Sequence, residues 1–274
     1  MPDVTEPASL IRFVLWHLTG GAAMGYFQAG FTEIVGVDNR PMPRYPFTFV
    51  EGDALEYLSL HGREFAAIHA SPPCQAYTIM RNLPWNKDKE YPSLILPTIE
   101  LLQAIGKPYV LENVMGARHG ARGLTKWGLE AHGLKAGWLC GTMFGKPFYR
   151  HRLFAANWLW LAPGHRKHVA RIRPGHSLAG RARDIVFSQA EDDRGIESWP
   201  GRRHDGDGGH GLAPAQNWQN GHAVGVGMGH AKGWHLAAEA MGIDWCNRAE
   251  LIQAIPPCYT RHIGIQLMKS LDGY

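Results

Sequence analysis

Residues 68–78 read Ile-His-Ala-Ser-Pro-Pro-Cys-Gln-Ala-Tyr-Thr, and Cys74 is the side chain in them best suited to nucleophilic chemistry. The apolar run Phe65-Ala66-Ala67-Ile68 reads as the end of a strand that meets Pro72 and Pro73. Proline fixes φ and rules out a regular helix or ladder, so Cys74 is presented from a rigid, non-repeating turn. Attack by a thiolate requires such positioning, with a short reach to the target carbon. Two further stretches carry matching chemistry. Lys107 to Val114 reads as a strand ending in Glu112 and Asn113. A glutamate there sits where open α/β folds keep their sites, and partial burial raises a carboxyl pKa enough for it to carry a proton. Tyr149 to Phe154 alternates as a strand does, which points Arg150 and Arg152 to one face and His151 to the other.

Pro72-Pro73-Cys74-Gln75, Glu112-Asn113-Val114 and Arg150-His151-Arg152 resemble, in order, three signatures of the DNA cytosine-5 methyltransferases. Leu139 to Pro147 resembles a structural motif that precedes the arginines in that family. The resemblance implies that double-stranded DNA is bound with one cytosine flipped out, because Cys74 cannot reach C6 within a duplex. Cys74 would add to C6, Glu112 would protonate or hydrogen-bond N3, and Arg152 would hold O2 and stabilise the developing charge. Pro73, Asn113 and Arg150 would support them. Members often have Gln where this chain has Phe148, a loss that touches support rather than chemistry.

Upstream elements must position a donor beside that thiol. Leu10 to Leu18 reads as a first buried strand, and Thr19 to Gly30 as a glycine turn opening a short helix. Glu33 to Asp38 reads as a second strand ending in an acid, and Phe47 to Val50 as a third before Asp53. This is the layout of an open α/β nucleotide site, with glycines for close backbone approach and an acid for ribose hydroxyls. By resemblance the cofactor is S-adenosylmethionine, with Asp38 on its ribose, Asp53 on its adenine amino group, and Trp16, Gly20, Gly21 and Pro72 around it.

One departure stands in this first motif. The family's first motif usually reads Asp-Leu-Phe-x-Gly-x-Gly-Gly. Aligned on Gly20-Gly21, this chain has Val14 for the Asp, Trp16 for the Phe and Leu18 for the first Gly. Trp keeps an aromatic face for an adenine, whereas Leu and Val remove a close approach and an acceptor near the methionine end. Three readings stay open: a divergent but working S-adenosylmethionine site, the same cysteine chemistry with another one-carbon donor such as a methylene-folate, or a DNA-binding relative without turnover. The C-terminal motif departs too, with Gln253 about where an Asn is usual.

The remaining chain frames these residues. Arg81 to Tyr91, rich in Lys, Arg, Asn and Trp, is expected to be a loop that closes over DNA and holds phosphates. Apolar spacing predicts helices over Pro92–Ile105, Trp234–Met241 and Arg248–Ala254, and a last one to Leu271. The expected fold is α/β, a Rossmann-like methyltransferase open sheet formed by 1–154 plus 247–274. Residues 155–246, loop-rich with many Gly, Arg, His and Trp, form a small inserted target-recognition region.

Composition bounds the rest. The chain has 274 residues, 45% hydrophobic and 19% charged, with net charge +4, which permits a nucleic-acid partner without demanding one. The four cysteines include no CxxC pair, and the eight histidines between 165 and 235 match no tight ligand spacing, so no metal is expected. No apolar span or signal pattern occurs, so no membrane partner is expected and a cytoplasmic location is. A monomer is expected, and the small size resembles phage-type members.

Overall fold

A computed structural model of the protein describes residues 12–16, 19–77, 89–117, 129–146, 148–165, 185–186, 222–223 and 234–271. Leu18, the stretch 81–88 of the expected DNA loop and most of the expected recognition region lie outside them.

Five strands run parallel: β1 (Arg12–Trp16), β2 (Glu33–Asp38), β3 (Thr48–Glu51), β4 (Ala67–Ala70) and β5 (Tyr109–Asn113). With β6 (Lys135–Leu139) and the antiparallel β7 (Arg152–Ala156) they make one sheet in the order β3-β2-β1-β4-β5-β7-β6. A separate two-stranded ladder joins β8 (Ile185–Val186) and β9 (His222–Ala223). Every residue of β4 and β5 is buried, as expected of parallel strands covered on both faces, and the polar ones among them are His69, Glu112 and Asn113.

The helices cover both faces. α1 (Gly21–Ala29), α4 (Trp234–Met241) and α6 (Pro257–Leu271) contribute to one apolar cluster that includes Tyr26, Ile34, Phe154, Met241 and Tyr259. α2 (Ala54–His61) and α3 (Ile95–Ile105) contribute to the other, around Leu58, Phe65, Ile68, Ile99 and Leu111. α5 (Arg248–Gln253) begins with a capping box in which Asn247 accepts from the Glu250 N–H and Glu250 accepts from the Asn247 N–H. Trp160, Ala237, Ala240, Ile243 and Cys246 join the first cluster, so both ends of 155–246 pack onto the main sheet.

α1 and α6 touch closely because Gly25 and Gly264 carry no side chain. A Cβ on Gly25 would strike Thr260 Oγ1 and the Pro257 carbonyl, and one on Gly264 would come within 2.7 Å of Ala29 Cβ. Thr260 Oγ1 also donates to the Ala22 carbonyl at 2.9 Å, which pins the C-terminal helix to the helix after the glycine turn.

The chain order reverses direction between β1 and β4, the switch point at which open α/β sheets hold ligands beyond their strand ends. Register sets what meets there. Trp16 pairs with Val37 and Ala70, and Ala70 with Leu111, so the carboxyl ends of these strands are level. Among the described residues no helix is long and apolar enough to cross a membrane.

Candidate active site

Four segments leave the sheet at that one edge. They are the turn at Thr19-Gly20, the end of β2 at Asp38, the loop Ser71-Pro72-Pro73-Cys74 after β4, and Glu112-Asn113 at the end of β5. β7 runs the other way, and Asn113 pairs with Leu153, so Arg152 at its start arrives at the same edge.

Arg152 Nε lies 3.2 Å from Glu112 Oε1, an ion pair with side-chain exposures of 19% and 8%. Arg152 Nη1 also donates to the His151 carbonyl at 3.0 Å, fixing the guanidinium plane. Removing one partner of so buried a pair leaves an uncompensated charge, typically costing about 3–5 kcal/mol. Cys74 is partly buried. Burial pushes its thiol pKa up, the Glu112 carboxylate pushes it further, and Arg152 and then Arg150 oppose them. All three charged groups therefore act on the thiol.

The loop carrying Cys74 is anchored from two sides. Asn113 Nδ2 donates to the Pro72 carbonyl at 2.9 Å, while its Oδ1 accepts from the Val114 N–H. From the other side, buried His69 in β4 bonds Ser71 Oγ through Nε2 at 3.0 Å and the Tyr26 hydroxyl through Nδ1 at 2.9 Å. Burial lowers the His69 pKa to about 3, so the ring is neutral, with one nitrogen donating and the other accepting. This Tyr26–His69–Ser71 chain links the helix after the glycine turn to the cysteine loop. Sequence reading missed it; a histidine alone in the apolar run Ala66–Ala70 was its one signal.

Arg150 lies just outside the strand in which alternation places it. β7 begins only at Arg152, and Arg150 is 6% exposed, donating through Nη2 to the Ile252 carbonyl at 2.7 Å. Its own carbonyl accepts from the Tyr259 hydroxyl at 2.6 Å. Burial, then the charge of Arg152, pulls its pKa down to about 9. It ties β7 to the segments on either side of 254–256.

The residues expected to hold a donor are brought together in part. Gly20 adopts φ +88°, and a Cβ there would meet Pro46 Cδ at 2.6 Å and Trp245 Nε1 at 2.9 Å, so glycine is required. Gly21, the first residue of α1, is buried, and a Cβ on it would strike the Ile255 carbonyl. Asp38 is 2% exposed at its strand end and accepts from the Arg40 N–H at 3.0 Å. Gly52 N–H donates to the Asp38 carbonyl at 3.0 Å, which brings Asp53 alongside. Asp53 Oδ1 caps α2 by accepting from the Leu55 and Glu56 N–H groups. Trp16 and Val14 lie in β1. Pro72 and Pro73 form the bend between β4 and Cys74.

No family model matches the chain, and no curated protein matches it in sequence. Solved structures do. The Schizosaccharomyces pombe Dnmt2 methyltransferase matches with TM-score 0.54 and 13% identity, over 96% of this chain and 99% of that one. A putative DNA modification methyltransferase encoded within a prophage of E. coli matches with TM-score 0.53 and 15% identity, over 97% and 100%. The Entamoeba histolytica methyltransferase EhMeth matches with TM-score 0.53 and 11% identity, over 96% and 99%. The fold is the Rossmann-like methyltransferase open sheet.

Proposed function

We propose that this protein transfers a one-carbon group, methyl in the first instance, to C5 of a cytosine flipped out of double-stranded DNA. The observation that carries the reading is the meeting, at the sheet's switch-point edge, of Cys74 with the Glu112–Arg152 ion pair. A nucleophile, a proton-sharing acid and a fixed cation are what addition to a pyrimidine requires.

The thiol loses its proton to water, and the Cys74 thiolate donates an electron pair to C6, forming the S–C6 bond. Glu112, which takes up a proton from solvent as the base binds, shares it with N3 as electron density moves into the ring, and Arg152 holds O2. Once Glu112 shares that proton it no longer opposes the thiolate, while Arg152 still favours it. C5 then takes the one-carbon group, a base removes the C5 proton, the C5–C6 double bond re-forms, and Cys74 leaves. A buried Asp38 at the end of β2, beside the glycine turn that opens α1, suits the adenosine half of S-adenosylmethionine. Asp38 would hold its ribose, with Asp53 and Trp16 towards the adenine. That cofactor supplies an electrophilic methyl group.

Residues 155–246 would supply target recognition, with the +4 net charge assisting contact with phosphates. The second reading, a different one-carbon donor such as a methylene-folate, draws on Val14 and Leu18 in the first motif.

The test is nucleoside mass spectrometry of DNA incubated with the protein and either S-adenosylmethionine or methylene-folate, together with trapping on 5-fluorocytosine DNA. 5-Methylcytosine with the first donor, and a Cys74-dependent covalent complex, are expected. A different C5 adduct with the folate alone would replace the donor and keep the cysteine chemistry. No adduct and no trapped complex with either donor would leave a DNA-binding protein without turnover.

A further inference from the structure

Among the described residues, one cluster of donor atoms outside the proposed cytosine site is unexplained by the proposed chemistry. Cys140 Sγ and one ring nitrogen each of His151 and His165 all lie within 4.8 Å of one another. Cys140 follows β6 directly and His151 precedes β7 directly. Leu139 pairs with Arg152, so the two residues face each other at the open end of this strand pair. His165 comes from the stretch after β7 and folds back onto the same spot.

We propose that Cys140, His151 and His165 bind one transition-metal ion, Zn²⁺ in the first instance, which clamps the β6–β7 strand ends to the chain leading into the recognition region. The donor set is the first argument. One thiolate and two imidazoles suit zinc, and three protein ligands leave the fourth tetrahedral position to solvent. Binding forms the Zn–S bond and releases the Cys140 thiol proton to water.

The surroundings are the second argument. Cys140 is fully buried, and the Thr142 hydroxyl donates to its sulfur at 3.4 Å, an outer contact that supports a thiolate. Trp138 walls the cluster, its ring 5.0 Å from that of His151 and 4.5 Å from that of His165. Arg150 and Arg152 flank His151, and a thiolate offsets one of the metal's two charges.

Zinc binds at about 2.3 Å to sulfur and about 2.0 Å to nitrogen, which places tetrahedral ligand atoms roughly 3.3–3.6 Å apart. Side-chain rotation that closes the present spacing completes the site. The consequence reaches the cytosine site, because the His151 carbonyl accepts from Arg152 Nη1. A clamped His151 holds that guanidinium in place. Sequence spacing concealed the set, since its members are separated by 11 and 14 positions and belong to three segments.

The experiment uses the untagged full-length chain, produced with added zinc and desalted, with metal measured by plasma mass spectrometry. About one zinc per chain is expected, lost in His165→Ala and Cys140→Ser and kept in Cys258→Ser. Because Cys140→Ser risks misfolding, Co²⁺ replacement in the parent provides an independent readout. A near-ultraviolet thiolate-to-cobalt band with tetrahedral visible bands is expected, absent from His165→Ala. Sub-stoichiometric metal in the parent, metal retained in His165→Ala, or a cobalt spectrum without the thiolate band would each overturn the proposal. DNA modification is not needed for any of these readouts, so they stand apart from the proposed activity.

Discussion

Asn113 Nδ2 donates a hydrogen bond of 2.9 Å to the carbonyl oxygen of Pro72, joining the end of β5 to the bend that presents Cys74. The two residues are 41 positions apart, and both lie in stretches that could carry chemistry. The bond is buried, so its loss leaves a carbonyl without its partner. Asn113→Ala should destabilise the fold by about 1–3 kcal/mol. It should slow covalent capture of 5-fluorocytosine DNA more than it weakens DNA binding. Urea unfolding and a trapping time course check both; trapping at the parental rate would mean that the Pro72 anchor does not set the position of the thiol.

Cys74 should titrate above its ordinary value in the DNA-free protein, chiefly through burial and secondly through Glu112. A thiolate is disfavoured by a nearby carboxylate, so Glu112→Gln should lower the pH at which Cys74 becomes reactive. Arg152→Ala should raise it. Alkylation rates with iodoacetamide across pH, corrected by a Cys74→Ser control, measure these midpoints. Shifts in the opposite directions would separate the Glu112–Arg152 pair from the thiol.

His69 bears on acid stability. Its folded pKa of about 3 lies below the ordinary value of 6.5, so the unfolded chain binds the proton first. The stability linked to this ring is complete above pH 6.5 and falls as pH drops towards 3. The slope approaches about 1.4 kcal/mol per pH unit for one proton. His69→Gln should be less stable at neutral pH and lose less between pH 6.5 and 4. Denaturant titrations at several pH values compare the two slopes, and parallel acid limbs would rule out His69 as the linked group.

Gly25 is where α1 and α6 come closest. Gly25→Ala forces a methyl group against Thr260 Oγ1 and the Pro257 carbonyl, and neither backbone can yield without moving a helix. Overpacking of this kind typically costs 1–3 kcal/mol. Thermal unfolding should therefore show a clear loss, whereas Gly52→Ala, with open space around its Cβ position, should be close to neutral.

Where local pattern and tertiary need agreed, the elements were legible. Glu33–Asp38 and Trp234–Met241 stand where apolar periodicity puts them, because acid, glycine or turn residues punctuate both ends. The strand β6 was not legible: Lys135-Ala136-Gly137-Trp138-Leu139 lacks β-branched residues and owes its state to pairing with β7. Arg150 shows the same limit from the other side. Alternation places it in a strand, yet Ile252, 102 positions away, and Tyr259 hold it just outside. Asp53 illustrates competition for one side chain, since an acid at a strand end signals a ligand contact and its Oδ1 also caps α2. Cys74, Glu112 and Arg152 each sit at or just beyond a strand end that register brings to one edge, which is why strand-like sequence beside them located all three.

The donor is the last point open to a direct experiment. Val14 and Leu18 stand where the resemblance expects an acid and a glycine, and β1 carries Val14 next to Val35 and Ile68 in register. By the resemblance, an acid at 14 would supply an acceptor for the cationic methionine end of S-adenosylmethionine, and a glycine at 18 would permit closer backbone approach. Val14→Asp combined with Leu18→Gly should tighten S-adenosylmethionine binding by about tenfold, on the order of 1.4 kcal/mol. Calorimetric titration of the parent and the double variant with S-adenosylmethionine, and separately with methylene-folate, reads this directly. Unchanged affinity for both donors would mean that these two positions do not shape the donor pocket. A gain for S-adenosylmethionine at the expense of the folate would mean that the parent sequence favours the second donor.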